Sequence, residues 1–281
     1  MSKRTKIWII AAIACVIIGS IIFVGVMTAM GWDFKKLSTD KFTTNTYTVT
    51  EAYKNISVKS VYAQITFVPS GGEETKVVCY ENDKVKHTVA VEDGTLTING
   101  VDNRKWYHYI GFHFEAPKIT ITLPKGEYGD LMLHNTTGDV KLPRDLTFSS
   151  MDISVTTGDV FLSASATGDI TCKTTTGDAK LNGVRCGNLT ATGTTGDLEM
   201  KDVIASGKFT AKRTTGDVEL EGCDASEIFI KVTTGDVEGT LLTPKTFRCK
   251  ATTGRVDVPN PSEGGLCEIK ATTGDIELRI K

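Results

Sequence analysis

The tetrad Thr-Thr-Gly-Asp recurs through the C-terminal half of the chain, its glycine at 138, 158, 177, 196, 216, 235 and 274, and another copy reads Thr-Thr-Gly-Arg at Gly254. Successive glycines are 20, 19, 19, 20, 19, 19 and 20 residues apart. A period this short holds two brief strands and two corners, and is too short for paired-helix repeats. Thr-Thr-Gly-Asp suits a corner whose third residue needs a positive φ, which glycine accepts at little cost. A second corner lies nine residues before the first, at Gly129, Ser149, Gly168, Gly187, Gly207, Ser226, Lys245 and Gly265.

Aligning the units on the tetrad glycine sorts the side chains into columns. Seven residues before it stand Leu131, Met151, Ile170, Leu189, Phe209, Ile228, Phe247 and Cys267, and five before it Leu133, Ile153, Cys172, Ala191, Ala211, Ile230, Cys249 and Ile269. Two after it stand Val140, Val160, Ala179, Leu198, Val218, Val237, Val256 and Ile276, and four after it Leu142, Leu162, Leu181, Met200, Leu220, Gly239, Val258 and Leu278. All but Gly239 are apolar, in a chain that is 40% apolar overall. This alternation is that of strands with one buried face. One unit cannot bury its own inward side chains, so copies must stack about 4.8 Å apart, completing each other's backbone hydrogen bonds. The expected fold is all-β: a single-stranded β-solenoid with two short strands per 19–20-residue coil, preceded by one N-terminal transmembrane α-helix.

That helix is expected over residues 7–32, which carry no charge and exceed the roughly 20 apolar residues a bilayer core requires. Lys3, Arg4 and Lys6 precede it, placing residues 1–6 in the cytoplasm and the remainder outside, at the cell membrane. A cleaved signal peptide is the alternative, but its apolar core is shorter and Met27-Thr28-Ala29 is a poor cleavage site. Residues 33–46 read as a tether and 126–281 as the regular repeat. Residues 47–125 alternate without a strict period and read as irregular β coils capping the start of the stack, with a hairpin turn at Asp93-Gly94.

The order Asp-Gly-Thr-Leu-Thr-Ile (Asp93–Ile98), Ile-Thr-Ile-Thr-Leu-Pro (Ile119–Pro124), then repeated Thr-Thr-Gly-Asp resembles the bacterial "putative adhesin" family of β-solenoid domains, which includes the G-type proteins of Lia envelope-stress operons. The resemblance spans residues 47–281. It implies a cell-envelope location and a non-enzymatic role, and supplies no catalytic residues.

By parity two further columns point outward. One carries Lys212, Lys231, Lys250 and Lys270, the other Glu199, Glu219, Glu238 and Glu277 with Asp257. They read as a solvated surface, or as stripes that bind anionic wall polymer or pack one copy against the next. Trp106, Tyr107, Tyr109, Phe112 and Phe114 crowd one segment and make it a candidate cap or binding patch for glycan, envelope protein or membrane. Asp139, Asp159, Asp178, Asp197, Asp217, Asp236 and Asp275 read as structural turn carboxylates, with Arg255 expected between Asp236 and Asp275 to neutralise them. The stacked corner threonines are expected to bond to one another.

No metal or cofactor is expected. Calcium β-rolls use a different nonapeptide, and a zinc site from His87, His108, His113 and His134 has poor spacing with no thiolate near. The cysteines at inward positions read as free, buried thiols. With 32 basic and 34 acidic residues, nothing draws the chain to nucleic acid. Polar residues spread in uniform columns argue against an enzyme, since catalysis needs one convergent constellation. The function expected is adhesin-like envelope binding or a structural role. Envelope-stress sensing is the alternative, and a polysaccharide-active solenoid enzyme comes after it. The last unit is expected to lie uncovered at Lys281 and to invite end-to-end association.

Overall fold

The structure, a computed structural model, describes residues 2–34, 41–106, 115–260 and 263–281. It divides into two units, one of residues 1–41 with 104–115 and the other of residues 42–103 with 116–281. In the first, α1 (Lys3–Ala29) begins at Ser2, whose hydroxyl accepts from the Thr5 N–H. The helix starts four residues before the uncharged run, because Ser2 caps it. At 1.5 Å per residue its 27 residues extend roughly 40 Å, ample for a bilayer core.

The second unit is built of strands. Its first part holds β1 (Phe42–Val49), β2 (Asn55–Tyr62), β3 (Gln64–Ser70), β4 (Thr75–Asn82), β5 (Val85–Glu92), β6 (Thr95–Asp102) and β7 (Lys118–Pro124). The repeats follow as β8 (Gly126–Thr137), β9 (Val140–Leu142), β10 (Leu146–Thr157), β11 (Val160–Leu162), β12 (Ser165–Ala166), β13 (Ile170–Thr176), β14 (Ala179–Asn182), β15 (Arg185–Cys186) and β16 (Leu189–Thr195). The last are β17 (Leu198–Lys201), β18 (Ile204–Thr215), β19 (Val218–Thr234), β20 (Val237–Leu241), β21 (Lys245–Thr253), β22 (Val256–Asp257), β23 (Gly265–Thr273) and β24 (Ile276–Ile280).

Each unit pairs in parallel with its neighbour, tetrad on tetrad, as in Thr157↔Thr176 and Thr176↔Thr195. Two ladders result. Among the principal strands one runs β6, β2, β8, β10, β13, β16, β18, β19, β23, β21. The other runs β7, β3, β9, β11, β14, β17, β19, β20, β24, β22. The inward columns are buried as their parity requires, and form one continuous core with Ile56, Ile65, Leu96 and Ile121 of the first part.

The exceptions are Gly239 and all four inward residues of the seventh unit, Phe247, Cys249, Val256 and Val258. For the seventh unit the cause is the order of stacking. The eighth unit (β23, β24) lies between the sixth and the seventh, and the seventh stands at the end. The expectation of an uncovered last unit is therefore corrected: β24 is paired on both sides, and β21 and β22 form the terminal rows. The β21 row carries Arg248 and Lys250, and Pro259 follows β22. Charges and proline there discourage further strand pairing.

The opposite end is also built out of sequence order. β2 and β3 sit next to the first repeat, while β6 and β7 lie outside them. β1 and β4 then continue antiparallel from β7, and β5 from β6. Asp93 and Gly94 turn the β5–β6 hairpin with φ of 48° and 70°, the pair of positive angles expected of that dipeptide.

Candidate functional site

The tetrad corners form a ladder of hydrogen bonds from backbone N–H groups to aspartate carboxylates. Asp159 N–H donates to the Asp139 carboxylate at 3.0 Å, Asp178 to Asp159 at 2.9 Å, Asp197 to Asp178 at 2.9 Å, Asp217 to Asp197 at 2.8 Å, and Asp236 to Asp217 at 2.7 Å. The ladder then passes to Asp275 and ends at Arg255, whose N–H donates to Asp275 at 2.7 Å. Each carboxylate thus serves the next unit in space. The terminal unit has no successor, and there Arg255 stands in place of aspartate. Arg255 lies beyond Asp275, not between it and Asp236, because the eighth unit is inserted before the seventh. Among the described residues the corner threonine hydroxyls make no hydrogen bonds to one another.

Gly138, Gly158, Gly177, Gly196, Gly216, Gly235 and Gly274 take φ between 114° and 142°. A Cβ on Gly177 would come 2.1 Å from the Gly158 carbonyl oxygen, so the corner requires glycine for close approach as well as for its angle.

The outward columns run in the permuted order. Lys212, Lys231, Lys270 and Lys250 occupy four adjacent rows of one ladder, all exposed. Glu199, Glu219, Glu238, Glu277 and Asp257 occupy five adjacent rows of the other. Beside this acidic stripe is a groove of about 640 Å³, lined among others by Phe161, Lys180, Glu199, Glu219, Glu238 and Arg279. Lys180 pairs with Glu199 at 2.5 Å and Arg279 with Glu277 at 3.0 Å, so the ends of the stripe are compensated. Glu219, between them, has its carboxyl raised above the ordinary value by burial and then by the Glu199 and Glu238 charges.

Of the aromatic segment, Trp106 is 76% exposed. Tyr107, Tyr109, Phe112 and Phe114 lie outside the described residues, as do His108 and His113.

Two polar features inside the stack are absent from the uniform columns. Three residues before the tetrad glycine stand Asn135, Val155, Thr174, Gly193, Arg213, Val232, Ala251 and Ala271, a further inward column by parity. Arg213, 2% exposed, lies across Gly193 and donates to Thr174 Oγ1 at 2.9 Å and to the Asp197 carbonyl at 3.3 Å. Burial draws its pKa down, and the nearby Cys172, Asp178 and Asp197 oppose that shift.

The second is a convergent cluster at the β4–β5 end, where the expectation of uniform columns fails. Glu81 Oε2 accepts from the His87 backbone N–H at 2.7 Å and lies 2.9 Å from His87 Nδ1. Asn45 Nδ2 donates to Glu81 Oε1 at 2.7 Å, and His87 Nε2 lies 3.3 Å from Ser60 Oγ. Cys79 is packed beside them, its thiol pushed up to about 12 by burial and then by Glu81. A thiol therefore does stand next to His87. Ser60, His87 and Glu81 follow the nucleophile–base–acid order of a hydrolase triad, but they are 6%, 3% and 1% exposed. In sequence the cluster is marked only by Val77, Cys79 and Glu81 sharing the inward parity of β4.

The cysteines are all free, with Cys79, Cys172, Cys186, Cys223 and Cys267 buried.

The Toastrack DUF4097 family matches residues 53–207 and again residues 165–281, the second match starting inside the first as repeated units allow. Among solved structures the chain is similar to a "putative adhesin" from Parabacteroides distasonis ATCC 8503, with 16% identity, a TM-score of 0.54 and coverage of 85% of this chain and 98% of that one. A "putative adhesin" from Bacteroides fragilis NCTC 9343 has 18% identity, a TM-score of 0.52 and coverage of 85% and 97%. One from Parabacteroides merdae ATCC 43184 has 11% identity, a TM-score of 0.50 and coverage of 86% and 98%. At these identities the likeness is one of fold. No curated protein matches the chain. With the two matches together spanning residues 53–281, the chain belongs to the Toastrack DUF4097 family.

Proposed function

We propose that the chain is a membrane-anchored, single-stranded β-solenoid that acts outside the cytoplasm as an adhesin-like binding protein, without catalysis. α1 is the single-pass anchor, and Lys3, Arg4 and Lys6 hold its N-terminus on the cytoplasmic side. The observation that carries the reading is the unbroken row Lys212, Lys231, Lys270, Lys250. At about 4.8 Å per row it presents positive charge at a spacing that an extended anionic envelope polymer can follow. Inward positions of the regular units, the terminal seventh apart, are committed to the core, which makes the surface stripes the recognition elements. Three similar solved structures carry the name "putative adhesin"; the support here is the surface of this chain itself.

The test uses the full chain in nanodiscs and a glycerol-phosphate polymer of the wall type. Binding that weakens as salt rises and is lost in Lys231→Glu/Lys270→Glu supports the proposal. Binding indifferent to both salt and the double substitution refutes it. Self-association is the second reading, favoured because the rows Glu219, Glu238, Glu277 and Asp257 come from the same units as the lysines. Copies standing side by side would meet acidic stripe to basic stripe at equal height. A sedimentation-velocity shift to larger species at low salt, abolished by the same substitution, distinguishes this mode.

A further inference from the structure

The interior of the stack is aliphatic almost throughout, yet its β4–β5 end holds a thiol, a carboxylate and an imidazole facing one another. Ligand atoms of Cys79, Glu81 and His87 all lie within 4.8 Å of one another, and the three residues are buried. Among the described residues this is the one group of this kind. Two of the three alternate along β4 and the third comes from β5, which belongs to the opposite ladder. The cluster therefore joins the two faces of the outermost layer.

From this geometry we propose that Cys79, Glu81 and His87 form a binding site for one divalent transition-metal ion of the zinc class. Sulfur, imidazole nitrogen and carboxylate oxygen are the donors such an ion takes, and three protein ligands leave a fourth position for water. Charge favours the assignment: a dication with one thiolate and one carboxylate makes a neutral assembly.

The surroundings supply the supports that metal ligands require. A ligating histidine donates its other ring N–H to a neighbouring acceptor, and here Ser60 Oγ lies 3.3 Å from His87 Nε2, leaving Nδ1 to face Glu81. Asn45 holds the second Glu81 oxygen. A Cβ on Gly100 would meet the His87 ring at 3.2 Å and Ser60 Cα at 3.2 Å, so glycine there leaves the ring its place. On binding, the Cys79 thiol releases its proton to solvent. At His87 the ion takes Nδ1 and the ring proton moves to Nε2, whose N–H is donated to Ser60 Oγ, so the imidazole stays neutral and one proton, from the thiol, is released in all. Affinity therefore falls as pH is lowered.

The test is cobalt titration of the full chain in detergent micelles after chelator treatment, read by absorption and by metal content after dialysis. The expected result is one Co²⁺ per chain with a thiolate-to-metal charge-transfer band, displaced by Zn²⁺. Cys79→Ser and His87→Gln abolish the band, whereas Cys267→Ser retains it and controls for loss of another buried thiol. Ser60→Ala, with unchanged far-UV circular dichroism, weakens binding about ten- to a hundredfold. A folded wild-type chain that takes up no ion, or a band that persists in Cys79→Ser, overturns the assignment and leaves a hydrogen-bonded cluster only.

Discussion

Replacing Gly193 with valine puts a side chain where the Arg213 guanidinium now lies: a Cβ there would come within 1.3 Å of Arg213 Nη1. The backbone itself accepts the change, since Gly193 is not among the positive-φ glycines and the equivalent positions of two other units are Val155 and Val232. The cost is thus one of occupancy. Overpacking contributes about 1–3 kcal/mol, and the expelled guanidinium loses charged hydrogen bonds worth about 1.5–3 kcal/mol each at most. Gly193→Val alone is expected to cost about 3–5 kcal/mol on these terms. Arg213→Val alone leaves a void of a few tens of Å³ above Gly193, about 1 kcal/mol at about 24 cal/mol per Å³. The double variant rebuilds the apolar column and removes a buried ion, an exchange that is often neutral or stabilising. It is expected to unfold near the wild-type midpoint, a coupling of about 4–6 kcal/mol between the two sites, the sum of the two single costs. Urea denaturation of the full chain in micelles, followed by circular dichroism of the strands, measures all four corners of the cycle. A double variant as unstable as the sum of the singles refutes the idea that Arg213 occupies the volume Gly193 leaves.

Asp217→Ala leaves the Asp236 N–H without its acceptor in mid-ladder and is expected to cost about 1–3 kcal/mol, whereas Arg255→Ala, at the ladder's end, leaves the melting temperature nearly unchanged. Glu219 has a raised carboxyl pKa in the fold, so ionising it costs stability. That cost is absent below the ordinary carboxylate range and grows as pH rises through it. Glu219→Gln therefore raises the melting temperature at neutral pH, and the gain vanishes in acid; a gain equal at both pH values contradicts the sign. Burial holds the Cys172 and Cys267 thiols up at about 12. Native alkylation at mildly alkaline pH should spare both, and urea should expose them, as peptide mass spectrometry reads directly.

The aliphatic columns are legible in sequence because strand parity and stacking leave those side chains nowhere else to go. The order of the last two units is not, since each unit carries the same inward signature and pairs equally well with either neighbour. A clue exists in Arg255. Once the tetrad aspartate is understood as serving the next unit, the unit that lacks it marks the end of the stack. Arg213 was visible as the one charged member of an inward column, two tetrads after Thr174 and one after the vacant Gly193. The Cys79, Glu81 and His87 cluster is harder to see. It lies in the aperiodic first part, where no column exposes an odd residue, and its partners Asn45 and Ser60 come from other strands.

Threading of the eighth unit between the sixth and the seventh is tested most directly by paired cysteines in the exposed lysine row. Lys231 is the register partner of Lys270, and Lys270 of Lys250. Adjacent rows are about 4.8 Å apart, within reach of a disulfide, and alternate rows, at about twice that spacing, are beyond it. Lys231→Cys/Lys270→Cys should oxidise readily in the folded chain, while Lys231→Cys/Lys250→Cys stays reduced. A disulfide between 231 and 250, with none between 231 and 270, would place the units in simple sequence order and contradict the stack described here.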